Sequence, residues 1–185
     1  AIDILAGRAG GDLLAVSLEL GSRMLAAAGI AKDVEDGKTR MKHALESGAG
    51  LAKLKEMIAA QGGDASVCDD VTRLPQAKHL VPVPALKDGY VADMDTTAIG
   101  YCAQDLGAGR KQKTDVIDPA VGLVMNVRIG DFVKQGDTIA TLHLNKPEQA
   151  ENAIARMQQA VKLTNEKPAI PPLVYASVSP EGVTR

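Results

Sequence analysis

The sequence predicts an α+β chain, helical in its first third and built of short alternating units after that. Three observations predict it. Apolar residues recur at helical spacing through residues 12–61 and stop at Gly62-Gly63. From Lys78 onward the pattern changes to short runs of alternating character. Between Leu106 and Leu144, the pairs Gly130-Asp131 and Gly136-Asp137 punctuate three such runs. Glycine accepts positive φ and aspartate caps its own backbone, so each pair marks a turn.

Taken in order, Asp12 caps a helix running to about Ala28, with Leu14, Leu18 and Leu25 as its stripe and Leu13, Leu20 and Met24 beside them. Gly29 stops it. A second helix, Val34 to Ser47, is polar except for Met41, Ala44 and Leu45, and Gly48 ends it. A third, Ala49 to Gln61, carries Leu51, Leu54, Met57 and Ile58 on one face. Residues 64–78 are a connector in which Asp69-Asp70 cap a turn and Pro75 blocks extension. His79 to Pro84 is a strand that Pro82 and Pro84 confine to an edge or an inter-domain position. Asp88-Gly89 turns the chain into a second strand, Tyr90 to Met94.

Asp95 then caps a helix that buries Ile99, Cys102, Ala103 and Leu106, and Gly107 ends it. Val121, Leu123, Met125, Val127 and Ile129 alternate with smaller or polar neighbours, which predicts a strand with one buried face. Ile139 to Leu144 alternates again. Pro147 opens a helix whose apolar face includes Ala150, Ile154, Met157 and Val161. Pro168, Pro171 and Pro172 form a linker, and Leu173 to Val178 is a last strand. The order from residue 79 reads ββα, βββ, αβ.

Composition narrows the function. The 185 residues are 45% apolar but hold one Phe, three Tyr and no Trp, so the core is aliphatic. A net charge of −2 supplies no basic face for phosphate backbones, and scarce aromatics leave no platform for base stacking, which excludes a nucleic-acid binder. No apolar run approaches the length of a membrane span. Cys68 and Cys102 read as buried thiols of a reducing, cytoplasmic setting. The N-terminus lacks a charged-then-apolar signal pattern, and Ala1 starts in what reads as mid-element, as expected of a piece of a longer protein.

The one stretch with candidate chemistry is Gly107-Ala108-Gly109-Arg110-Lys111-Gln112-Lys113, a glycine-rich loop with three cations. It suits anion contact or closure over a cleft. Its Gly-x-Gly follows a helix rather than a strand, so it is not a dinucleotide fingerprint. His43, His79 and His143 lack the spacing of a helical metal site, and no cysteine has a C-x-x-C partner, so neither a metal nor a cofactor is expected. Asp93 and Asp95 are close in sequence, but Asp95 is satisfied as a helix cap, and Asp69, Asp70, Asp115 and Asp118 read as turn and loop residues. The 130–140 stretch also looks like half of a biotinyl or lipoyl carrier domain, but such modules need a lysine at a hairpin tip and none is placed there.

Several stretches resemble, in order, the C-terminal part of the pyrimidine nucleoside phosphorylases, the family that includes thymidine phosphorylase. They are Ala44 to Gly48 with Met57 to Asp64, Leu74-Pro75, Gly89-Tyr90-Val91, Met94-Asp95-Thr96, Leu106 to Arg110 with Asp115 to Asp118 and Val121-Gly122, and Pro171-Pro172-Leu173-Val174-Tyr175. The resemblance implies N-terminal helices (residues 1–64) belonging to a larger α/β domain, a connector (65–78), and an α/β-hammerhead-like, barrel-sandwich-related C-terminal domain (79–185). It implies a parent enzyme that cleaves pyrimidine nucleosides with phosphate as co-substrate, giving free base and pentose 1-phosphate, and that works as a homodimer. The family's phosphate, base and metal residues lie upstream of these motifs. The resemblance therefore assigns no catalytic residue here, and the expected roles are bracing and a cleft-closing loop. Without the rest of the parent, the apolar stripes of the first helices are expected to drive self-association.

Overall fold

The computed structural model describes residues 1–179 and 182–184. It contains two compact units, Ala1–Arg73 with Pro172–Arg185, and Leu74–Pro171. Helices and small antiparallel sheets make it an α+β chain.

The first unit holds α1 (Ile2–Leu5), α2 (Asp12–Ala27), α3 (Val34–Glu46) and α4 (Ala49–Ala60), then short 3-10 turns at Ala65–Cys68 and Val71–Arg73. The helix boundaries keep closely to their sequence signals, but Asp12 does not cap α2: it is the first helical residue, and Gly11, at φ +73°, takes the cap position without a side-chain contact. Asp33 caps α3 by accepting from the Asp36 amide, and Gly29, Gly48 and Gly62 all turn at positive φ where helices stop. Helices α2 and α3 cross where Gly37 meets Ser22: a β-carbon at Gly37 would lie 2.6 Å from the Ser22 carbonyl oxygen. None of the large apolar side chains of α2, α3 and α4 is buried; only Ser22 and Gly37 are. The tail adds a hairpin of β7 (Ser177–Ser179) and β8 (Gly182–Thr184). The strand expected at 173–178 forms only from Ser177. Leu173 to Ala176 are exposed and form no ladder among the described residues, so the strand-forming Val174 and Tyr175 have no neighbour to pair with there.

The second unit carries the core. Its strands are β1 (His79–Pro84), β2 (Gly89–Met94), β3 (Gly122–Met125), β4 (Phe132–Val133), β5 (Thr138–Leu144) and β6 (Val161–Thr164), with helices α5 (Thr96–Ala103) and α6 (Ala150–Ala160). One antiparallel sheet has the order β1-β5-β3 and the other β4-β2-β6. β1 is an edge strand, as its two prolines require. The two Gly-Asp turns form as read: Gly130 and Gly136 have φ +95° and +91°. Asp131 accepts from the Arg128 amide at 2.7 Å and Asp137 from the Lys134 amide at 2.8 Å.

Val83, Val91, Ile139, Leu142, Leu144 and Met157 are fully buried and bring both sheets and α6 into one aliphatic core. The strand expected from Val121 to Ile129 is regular only over Gly122–Met125. Beyond that, Asn126 donates its amide to the Ile139 carbonyl and the chain bends away toward the Gly130 turn, while Val127 stays buried. The expected helix through Val161 instead ends at Ala160, and β6 starts at once against β2. Val161 fits both the helical stripe and the alternation of Val161-Lys162-Leu163-Thr164, and pairing with Met94 decides between them.

Candidate functional site

The site is built where α5 runs out. Asp95 caps that helix by accepting from the Ala98 amide at 2.9 Å. Its buried stripe, Cys102 and Leu106, sets the depth of the turn at its C-terminal end. The helix widens into a π turn over Gln104–Ala108, and Gly107 leaves helical space at φ +109°, ψ 2°. Leu106 is buried and Ala108 packs on the core, so the base of the Gly107–Lys113 loop is anchored. Gly109 is extended, and Arg110, Lys111, Gln112 and Lys113 are exposed.

Backbone and carboxylate contacts close this loop on itself. The Asp118 amide donates to the Gly107 carbonyl at 3.0 Å. One Asp115 oxygen accepts from the amides of Lys111 and Gln112 at 2.9 and 3.0 Å. Gln104 donates its side-chain amide to the Arg110 carbonyl at 2.6 Å. Asp118 accepts from the Ala120 amide at 3.0 Å and from the Asn145 side chain at 2.7 Å, and these contacts, in that order, hold its carboxyl below the usual range. Asp115 and Asp118 are thus loop-forming residues, as the sequence suggests.

The three loop cations do not share one fate. Lys111 pairs with one oxygen of Asp105, and Arg156, from α6, pairs with the other. Lys111 and then Arg156 lower the Asp105 pKa against the opposing effect of partial burial. Arg110 and Lys113 form no ion pair among the described residues. The loop therefore offers two unengaged cations at its tip.

Below Lys111 lies a polar pocket of about 330 Å³, walled by Asp105, Glu148, Gln149, Asn152 and Arg156. Cys102 borders it with its thiol turned to the Ala153 carbonyl, 3.8 Å away, and burial pushes that thiol's pKa up. The Gln149 amide donates to the Asp105 main-chain carbonyl at 3.1 Å, while its Oε1 is buried and unpartnered among the described residues. Sequence reasoning passes over Asp105, Asn145, Gln149 and Arg156. The available signal is Asp105 standing just ahead of Arg110, Lys111 and Lys113 across a glycine turn.

The other candidates stand apart. His43 and His79 are exposed and His143 is half-buried on β5. Cys68 and Cys102 are buried free thiols. Among the described residues no three His, Cys, Asp or Glu side chains are grouped to hold a metal ion. Among the described residues no helix is long and apolar enough to cross a membrane. The bend between β3 and β4 carries Arg128 and no lysine, while Lys134 stands in the turn between β4 and β5, its amide donated to Asp137.

Residues 90–164 match the family model of the pyrimidine nucleoside phosphorylase C-terminal domain. The match takes in the basic loop, Asp105, both Gly-Asp turns and α6. Across 97% of its length the chain is 38% identical to a pyrimidine-nucleoside phosphorylase of Geobacillus stearothermophilus, of which it covers 41%. It is 38% identical over 89% of its length to the pyrimidine-nucleoside phosphorylase of Staphylococcus aureus strain USA300, covering 38% of that protein. The chain is thus similar to pyrimidine-nucleoside phosphorylases and spans about two fifths of the length of these curated relatives.

Proposed function

We propose that this chain is the C-terminal part of a pyrimidine nucleoside phosphorylase, a pentosyltransferase that converts a pyrimidine nucleoside and phosphate into free base and pentose 1-phosphate. The observation that carries this is the 38% identity running through 97% of the chain. The two three-stranded sheets with α5 and α6 support the hammerhead-like reading of the second unit. Phosphate is the co-substrate of the parent, which works in the cytoplasm as a homodimer.

Within that enzyme the chain braces and closes; it does not by itself grip phosphate or expel a base. Phosphorolysis needs a preorganised anion clamp and positive groups aimed at the departing base, and charge of oxocarbenium type develops at the sugar. The described residues instead offer one loop with Arg110 and Lys113 unengaged at an exposed tip. Such a tip suits a lid: two cations brought to a cleft on closure and withdrawn on opening. The exposed helical faces of the first unit favour association of the separate chain with itself.

The test is a chimera in which residues 1–185 replace the matched portion of the Geobacillus stearothermophilus relative. Phosphate-dependent release of thymine or uracil is the expected result. A folded chimera without activity would contradict the proposal.

A further inference from the structure

Asp105 sits at the end of α5 and reaches two cations on different elements. Arg156 belongs to α6 and is two-thirds covered; Lys111 belongs to the loop and is 57% exposed. The two pairs are therefore unequal. The Arg156 arm lies between packed elements, whereas the Lys111 arm reaches from a fixed carboxylate to a segment whose tip is in water. A second tie, from Gln149 at the N-cap of α6 to the Asp105 main chain, joins the start of that helix to the same turn without involving the loop. The turn–helix contact thus has its own support, and the Asp105 carboxylate is left to act on Lys111.

We propose that Asp105, held in place by Arg156, is a positioning residue that latches the basic loop through Lys111. Latched, Lys111 forms one wall of the polar pocket and the tip bearing Arg110 and Lys113 is held near α6. Unlatched, only one exposed ion pair is lost, while the Asp115 contacts keep the loop tip folded as a unit. An exposed pair of this kind shifts an equilibrium by a few-fold rather than by orders of magnitude. That suits a segment that must alternate between two positions. The pair faces water, so salt weakens it. The lowered Asp105 pKa agrees with the same pairing. That the latched segment closes a cleft rests on the lid reading above; the latch itself is a property of this chain alone.

The experiment uses the 185-residue chain and site-resolved trypsin cleavage with mass spectrometry as the readout. Asp105→Asn should speed cleavage after Arg110, Lys111 and Lys113 by about two- to fivefold, with the rates after Lys53 and Lys134 unchanged. Asp105→Glu, which keeps the charge, should restore slow cleavage. Raising salt should speed loop cleavage in the wild type, relative to those two reference sites, but not in Asp105→Asn. Equal loop cleavage in wild type and Asp105→Asn would overturn the latch, as would acceleration at every site together, which would mark general loosening. Because no turnover is read, these outcomes stand apart from failure of the lid, which is read by the kinetics of the chimera.

Discussion

Replacing Gly107 with alanine isolates the backbone's share in building the loop. At φ +109° and ψ 2° the residue lies where L-amino acids are strained. A β-carbon there would meet Val121 Cγ2 at 3.5 Å and Asp118 Cβ at 3.9 Å, both ordinary contacts. Space is therefore not the obstacle, and the penalty is the conformation alone, about 1–2 kcal/mol. The second unit, Leu74–Pro171, falls in the size range where 1 kcal/mol moves the melting temperature by about 4–8 °C. Gly107→Ala should lower its melting temperature by roughly 5–15 °C in a circular-dichroism melt. Gly136→Ala is the control: φ is +91° and nothing lies within 4 Å of the added carbon. It should cost a similar amount but leave trypsin cleavage at Arg110 unchanged, whereas Gly107→Ala should quicken it. A melting temperature for Gly107→Ala within about 1 °C of wild type would show that the turn does not demand positive φ, and strain could no longer explain the glycine.

Two further outcomes concern the two units separately. In the first, Leu13, Leu20 and Met24 are 59%, 58% and 70% exposed beside an apolar groove of about 380 Å³ lined by Ile4, Leu5, Leu14, Leu18, Met41 and Leu45. Light scattering should find oligomers that Leu13→Lys with Met24→Lys reduces, and a strictly monomeric wild type would contradict this. In the second, Asp118 has a depressed pKa in the folded state. Its contribution is therefore complete above the ordinary aspartate value of about 3.9 and disappears as pH falls through the lower folded value. The stability gap between wild type and Asp118→Asn should be constant above about pH 5 and shrink in stronger acid. A gap in thermal stability that does not change with pH would refute the assignment.

Much of this fold is legible in the sequence because its punctuation is local. Asp33 and Asp95 act as helix caps through their own side chains, and the Gly130 and Gly136 turns need only nearby atoms. The features that escape the sequence depend on pairing. Met157 and Val161 are four residues apart and share a helical face, and no glycine or proline separates α6 from β6. Only the register with β2 makes residue 161 a strand. Leu173 to Ala176 fail in the opposite sense, since strand-forming composition without a partner gives no strand. The candidate loop shows itself by its glycines and cations. Its division into an engaged Lys111 and unengaged Arg110 and Lys113 does not, because Arg156 lies 51 positions from Asp105 and meets it only after α6 has packed.

Whether the tip of this loop acts during turnover of the intact enzyme is decided by the steady-state kinetics of Arg110→Ala in the phosphorolytic chimera, with melting temperature measured alongside. Because Arg110 is exposed and its side chain forms no ion pair among the described residues, the melting temperature should not move. Meanwhile kcat/KM for nucleoside should fall by about a hundredfold, the low end of the range expected when one preorganised charge-stabilising group is removed. Unchanged kinetics in a fully folded variant would contradict a role in turnover and leave the chain a brace only.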